Sequence, residues 1–268
     1  MRIVVAVDGS RDATAQVARS RADVLRYHGH DLIVIDLEQA GKAAALNAAD
    51  QYADADDCRI YLGADVTLTP DAVASVHRAL HAAPVNQPDP PNPPTSSDLP
   101  EPPVPPVPRL VSPRPRFVPE GPSRLAAGFF AVWSHLPAVR GRVIGGGCHA
   151  VNGAGRALWD RFPALTADDA YVRGRFAPDQ IQVVDGEFVT GFPDRARLIR
   201  VVRRWRAGHH ELADAGHGTP SAGLTGNLLF VARSPSLWRH LPAFATVLLL
   251  TRITRASPAD HDGPAWTR

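Results

Sequence analysis

The sequence predicts an α/β fold: a single domain with a mixed, mostly parallel sheet flanked by helices. Continuous apolar runs at residues 3–7 and 32–35 are typical of strands buried on both faces. A third run, residues 60–62, is followed by an acidic residue and then by Pro70, and proline is favoured in the first turn of a helix. Strand-like segments that alternate with helix-like segments indicate the α/β class.

Composition excludes several classes of function. The chain has 268 residues, 44% of them apolar, and a net charge of +2 with scattered arginines, so no nucleic-acid partner is predicted. Cys58 and Cys148 lie far apart and favour a reducing cytoplasm over a disulfide framework. The amino terminus enters a strand directly, which predicts no secretion signal.

The apolar run 241–250 is about half of the roughly 20 residues that span a bilayer, so it predicts a docked helix or peripheral contact with the inner face of the membrane.

Proline divides the chain. Residues 84–122 are rich in proline, which lacks the backbone donor of helices and central strands, and they are predicted to form a disordered linker or insertion. On either side we expect a donor half at 1–83 and a catalytic half at 123–215, followed by a tail at 216–268 with an apolar helix. Residues 109–118 are expected to rejoin the sheet as an edge strand, and Asp185-Gly186 predicts a hairpin.

Polar residues follow the first three strand-like runs. Asp8 ends the first, Gly41-Lys42 begins the helix after the second, and Asp65 follows the third. Ligands of open α/β sheets bind at the carboxyl ends of strands, and a helix amino terminus with a lysine can hold phosphate. Lys42 is the only lysine in the chain, in an arginine-biased composition typical of an actinobacterial-like, GC-rich genome. The alternatives are that Asp8 only forms a turn and that Lys42 survives by chance.

These residues carry a resemblance. The segment 41–47, read as Gly-Lys-x-x-Ala-Leu-Asn, followed by a strand, Asp65 and Pro-Asp, resembles the donor half of family 2 glycosyltransferases of the GT-A fold. The resemblance implies a nucleotide-sugar donor contacted by Asp8, Lys42 and Asn47. It also implies a divalent cation, Mg²⁺ or Mn²⁺, bound by Asp65 against the diphosphate. The family's Asp-x-Asp reads Gly-Ala-Asp here, so metal binding should depend on the donor.

The resemblance continues in the second half. A glycine-rich stretch at 145–147 leads into a strand that lines the donor sugar in the family. The acidic pair Asp168-Asp169 then opens an apolar helix, which implies Asp169 as the general base, whereas helix capping is the alternative for Asp168. Arg204 is implied to stabilise the departing diphosphate and Trp205 to stack near the acceptor. The alternative is a solvated basic helix.

One expected segment is missing. Family 2 enzymes begin one strand and one helix earlier, and that strand is central in their sheet, so we expect an N-terminally truncated GT-A fold with a gap between neighbouring strands.

The predicted function is inverting, nonprocessive transfer of sugar from a nucleotide sugar, a UDP-sugar by preference. The acceptor is a carbohydrate or lipid-linked hydroxyl, as in cell-envelope polysaccharide synthesis. The alternatives are an inactive scaffold or binding protein and a nucleotidyltransferase.

Overall fold

The computed structural model describes residues 1–38, 40–82, 106–119, 123–140, 147–192, 195–217 and 224–253. Within these ranges the strands are β1 (Arg2–Asp8), β2 (Asp31–Leu37), β3 (Arg59–Leu62), β4 (Val66–Leu68), β5 (Leu110–Pro119), β6 (Cys148–Val151) and β7 (Ile181–Phe192). The helices are α1 (Thr14–Arg19), α2 (Ala22–Tyr27), α3 (Lys42–Asp50), α4 (Pro70–His81), α5 (Arg124–Trp133), α6 (Pro137–Arg140), α7 (Gly153–Arg156), α8 (Asp168–Arg173), α9 (Arg195–Asp214), α10 (Leu224–Ala232), α11 (Pro235–Trp238) and α12 (Leu241–Ile253).

The strands of the described ranges form two sheets. β1 and β2 pair in parallel, and the other sheet has the order β3-β6-β5-β7-β4. In that sheet only β5 and β7 run parallel, because β6 runs against both of its neighbours and β4 runs against β7. A mixed sheet is therefore confirmed, but parallel pairs are not the majority that the apolar runs predict. Apolar runs indicate burial on both faces and do not fix strand direction.

The split between the sheets lies between β1 and β3. Arg2, which opens β1, donates to the carbonyl of Tyr52 at 2.7 Å, and Arg59, which opens β3, donates to the carbonyl of Asp54 at 2.8 Å. The amino ends of both strands are thus tied to one turn, although no pairing joins them among the described residues. Ile60 and Leu62 on β3 remain 36% and 48% exposed. β1 and β3 therefore belong to separate sheets among the described residues.

Helix α3 crosses the split. Asp50, its last residue, lies in a largely buried cluster and accepts a hydrogen bond from the Tyr61 hydroxyl at 2.8 Å. The same carboxylate forms ion pairs with Arg156 at 2.8 Å and with Arg59 at 3.5 Å. The helix also packs against β1. Buried charges of this kind are stable only when they are paired, so the Asp50 cluster holds α3 to β3 and α7.

The carboxyl end of the proline-rich segment joins the sheet. Residues 110–119 form β5, which lies between β6 and β7 and not at the edge that the sequence predicts. β5 pairs with β6 only through Leu110 and Val111, and its prolines begin at Pro113, beyond that contact. A missing N–H is tolerated where a strand edge has no partner. Residues 83–105 and 120–122 of the predicted linker lie outside the described residues.

The hairpin predicted at Asp185-Gly186 is wrong. β7 continues through both residues, and its pairing with β5 passes directly from Val184 to Glu187, so the two residues form a bulge. Gly186 has φ of +90°, and an added Cβ would lie 2.5 Å from the Cα of Ala72 at the start of α4. Glycine is therefore required by the bulge and by close packing of α4, which are contacts that a local turn signal does not reveal.

Helix α12 packs on α5. Phe129 of α5 stacks on Phe244 of α12 with ring centroids 5.3 Å apart, and Val247 of α12 is fully buried. Docking of the apolar helix, one of the two predicted alternatives, is thus what the described residues show. No helix within them is both long and apolar enough to cross a membrane.

Replacing Asp50 by Asn should lower the free energy of unfolding by about 3 kcal/mol, because two largely buried guanidinium groups lose their counter-charge. Urea unfolding followed by far-UV circular dichroism measures the change. Asp23→Asn, which removes the exposed partner of Arg26, is the matched control and should leave the unfolding midpoint within error. Equal midpoints for wild type and Asp50→Asn would contradict the bridging role of α3.

Candidate active site

An ion pair joins the predicted donor half to the predicted catalytic half. Lys42, the first residue of α3, places Nζ 2.8 Å from Oδ1 of Asp168, the first residue of α8. The lysine side chain is 53% exposed, whereas the aspartate side chain is 4% exposed. Asp168 is thus held from within the fold, and the ammonium group of Lys42 remains accessible from solvent.

Asp8 holds the loop that precedes α3. Its carboxylate, at the carboxyl end of β1, accepts from the backbone N–H of Ala40 at 2.7 Å and of Gly41 at 3.0 Å. Gly41 has φ of +84°, a conformation that favours glycine, and it caps α3 immediately before Lys42. Asp8 therefore positions the start of α3, and its contact with a nucleotide stays a prediction.

Asn47 fastens the middle of α3 to the catalytic half. Its Nδ2 donates to the carbonyl of Phe162 at 2.9 Å, and its Oδ1 accepts from the backbone N–H of the same residue at 2.8 Å. Both ends of the amide are engaged in this contact. The predicted donor contact of Asn47 is untested, and its observed role is to dock α3.

Asp169 has the environment of a proton acceptor. Burial raises the pKa of its carboxyl, and the neighbouring charge of Asp168 raises it further. The pKa of Asp169 is lowered by the charge of Lys42, by the backbone N–H of Ala170 and by the charge of His209. Burial together with a like charge is a common way of tuning a catalytic carboxylate.

Helix α9 supports the acidic pair. Glu211 accepts from the backbone N–H of Thr166 at 2.9 Å, and a Cβ at Gly208 would lie 3.2 Å from the backbone nitrogen of Ala167. The predicted site residues Arg204 and Trp205 also lie on α9, and Arg204 is half-buried.

Trp205 stacks on Trp133 of α5 with ring centroids 5.0 Å apart, inside an aromatic cluster. Its predicted acceptor contact remains a prediction, and its observed contacts are those of a core residue.

Asp65 lies in the turn between β3 and β4 and is exposed. A Cβ added at Gly63 would lie 2.9 Å from its Oδ1, so a side chain at 63 would require Asp65 to move. Among the residues that the structure describes, no group of three or more His, Cys, Asp or Glu side chains is arranged to hold a metal ion. One carboxylate fits Mg²⁺ or Mn²⁺ only if phosphate oxygens and water complete the shell.

His149 is a site residue that sequence reasoning missed. It lies on β6 directly opposite Tyr61 of β3, and the two rings are 5.0 Å apart. The side chain is 7% exposed, and its Nε2 has no hydrogen-bond partner within the described part of the chain. Burial lowers its pKa to about 4, with Asp168 raising and Lys42 lowering the value. The only sequence signal is its place after the glycine-rich stretch.

Residues 1–101 match the family model described as Glycosyl transferase family 2. Over these residues the chain is similar to glycosyltransferase family 2. The match includes Asp8, Lys42 and Asp65, whereas the acidic pair and α9 lie beyond it. No curated protein sequence is significantly similar to the chain.

The fold of the chain is similar to that of a solved structure. A mannosyltransferase from Pyrobaculum calidifontis, in complex with GDP-Man and Mn²⁺, aligns with a TM-score of 0.53 and 19% sequence identity. The alignment covers 97% of this chain and 68% of that one. The predicted GT-A architecture is thereby confirmed, and at this identity the likeness concerns the fold alone.

The low pKa of His149 makes stability depend on pH. An unfolded histidine binds its proton near pH 6.5 and the folded one near pH 4, so the unfolded state gains protons first on acidification. Between these values wild-type stability should fall by up to about 3 kcal/mol as pH decreases. In His149→Phe this slope should flatten, as measured by urea unfolding from pH 7 to about 4. The exposed control His210→Phe should keep it, and an unchanged slope in His149→Phe would contradict the assignment.

Proposed function

We propose that the protein is a glycosyltransferase that moves a sugar from a nucleotide sugar to an acceptor hydroxyl, with inversion at the anomeric carbon and without processivity. The observation that carries the proposal is the Lys42–Asp168 contact of 2.8 Å. It joins a helix start of the phosphate-binding type, within the region similar to family 2, to an acidic pair outside that region, of which Asp168 is buried. A donor bound at α3 would therefore lie next to the candidate base.

The donor diphosphate is assigned to the start of α3. Lys42 supplies a half-exposed ammonium group, and the first N–H groups of the nine-residue helix supply donors without helical partners. Asp8 keeps these groups in place through its bonds to the loop before the helix. UDP is the preferred nucleotide, and GDP is the second choice because the mannosyltransferase of similar fold is described with GDP-Man.

Asp65 would hold a divalent cation together with the diphosphate. A bound Mg²⁺ or Mn²⁺ supplies positive charge that stabilises the leaving nucleoside diphosphate. Arg204, a fixed guanidinium group on α9, is assigned the same electrostatic task from the catalytic half.

Asp169 is the proposed general base. The acceptor hydroxyl gives its proton to the Asp169 carboxylate while its oxygen bonds to the anomeric carbon. The bond from that carbon to the diphosphate oxygen breaks, and the nucleoside diphosphate leaves with the electron pair. Attack opposite the leaving group inverts the configuration. A raised pKa suits this task, because a carboxylate with a higher pKa is a stronger base once it is ionised.

The acceptor is proposed to be a carbohydrate or lipid-linked hydroxyl. Leu249 on the docked helix α12 is 56% exposed, and it is the apolar surface proposed for peripheral contact with the inner face of a membrane. A noncatalytic binding protein is the second candidate, favoured by the split sheet and by Gly63 in place of an acidic ligand. That candidate predicts nucleotide binding without sugar transfer.

Isothermal titration of the chain with UDP and GDP, with and without Mn²⁺, tests the donor site. We expect one nucleotide to bind at least about tenfold more tightly with Mn²⁺, because Asp65 and the diphosphate complete the metal shell jointly. In Asp65→Ala this gain from metal should disappear while metal-free binding persists. Asp71→Ala, which removes an exposed acid from the first turn of α4, is the control and should retain the gain. Failure of both nucleotides to bind would contradict the proposal.

A further inference from the structure

His149 is a buried polar group that the proposed reaction does not use. It lies on β6 opposite Tyr61, and Tyr61 packs against the same apolar core as Ala43 and Ala167, the chain neighbours of Lys42 and Asp168. Its Nε2 is sealed from solvent without a partner in the described ranges. A buried ring nitrogen without a hydrogen bond is destabilising, so its persistence calls for a state in which it is satisfied. The charged groups that act on it are Asp168 and Lys42, and the Tyr61 ring packs beside it.

The two charged neighbours differ in their freedom to move. Asp168 is fixed inside the fold, whereas Lys42 has a flexible, half-exposed side chain. A nucleotide diphosphate offers the ammonium group more negative charge than one carboxylate does. Donor binding would thus draw Lys42 away and leave Asp168 buried without its cation, which is strongly unfavourable unless another donor replaces it.

We propose that His149 is a positioning residue that replaces Lys42 as the partner of Asp168 when the donor binds. Its Nε2–H then donates to the Asp168 carboxylate, which satisfies both groups and fixes Asp168 beside Asp169. Lys42 is free to remain on the diphosphate at the same time. The part played by the nucleotide in this exchange rests on the proposed function. The response of the His149 pKa to loss of Lys42 does not.

The first test removes Lys42 without any nucleotide. In Lys42→Met, the pKa of His149 measured by NMR titration should rise by about one pH unit or more, because the repulsion by the ammonium group is lost and the attraction to Asp168 remains. The His149 resonance is assigned from its absence in His149→Gln. Arg26→Met removes an exposed cation of α2 and should leave this pKa unchanged. Lys42→Gln serves as the second variant if Lys42→Met does not fold.

The second test uses the nucleotide. With UDP or GDP and Mn²⁺, the pKa of His149 in the wild-type chain should rise as it does in Lys42→Met. His149→Phe should weaken nucleotide binding about tenfold, because Asp168 is then left unpaired. His149→Gln, which keeps a donor, should recover most of the loss. In the Asp168→Asn background the Phe and Gln variants should bind equally, a result that a merely structural histidine would not give.

The outcomes separate the two proposals. A rise in the pKa of His149 in Lys42→Met without binding of UDP or GDP would support the exchange at the ion pair and contradict the donor site. Nucleotide binding with an unchanged pKa of His149 in both tests would leave the donor site standing and overturn the role of His149. An equal loss of affinity for His149→Phe and His149→Gln would also overturn it.

Discussion

The architecture depends on the contacts of the Asp50 carboxylate, whose side chain is largely buried. The two sheets share no hydrogen-bonded strand pair among the described residues, so another element has to hold them together. Helix α3 performs this task, with Asp50 anchored to Arg59, Tyr61 and Arg156 at its carboxyl end. Lys42 at its amino end reaches Asp168. Contacts along a single nine-residue helix thus set both the relation of the sheets and the position of the candidate base.

The start of α3 brings the groups of the candidate site together. Asp8 fixes the loop before α3, and Lys42 then stands between solvent and the buried acidic pair. The two adjacent carboxylates occupy unequal environments, because Asp168 is buried with a lysine at 2.8 Å, whereas Asp169 is partly buried beside another negative charge. Such an unequal pair suits a division of labour in which one acid organises the site and the other accepts a proton.

Local sequence signals predicted the elements that depend on local sequence. The signals that act within a few residues are the apolar runs of β1 and β2, the glycine before α3 and the proline at the start of α4. These two strands and two helices form where they were expected. The family 2 donor half and the GT-A fold were likewise recognised from motifs in order. Strand direction, the central place of β5 and the bulge at Gly186 depend on distant partners, so local patterns could not reveal them.

In the candidate site, too, local sequence patterns did not reveal contacts between distant residues. Asp168 and Lys42 were predicted separately, but their contact across 126 positions is a product of the tertiary fold. His149 carries no motif, and its importance arises only from burial next to that ion pair. Asn47 and Trp205 were predicted to contact ligands, yet their observed partners are Phe162 and Trp133. Residue type indicates which chemistry is available, and packing decides which groups are already engaged.

The most direct test of the account is the turnover of Asp169→Asn. Release of nucleoside diphosphate from UDP- and GDP-sugars is measured for wild type and variant, together with nucleotide affinity. If Asp169 is the base, turnover should fall by about 10²-fold or more, while nucleotide affinity stays within about twofold, because the change removes a proton acceptor and not a donor contact. Wild-type turnover in Asp169→Asn would contradict the proposed mechanism.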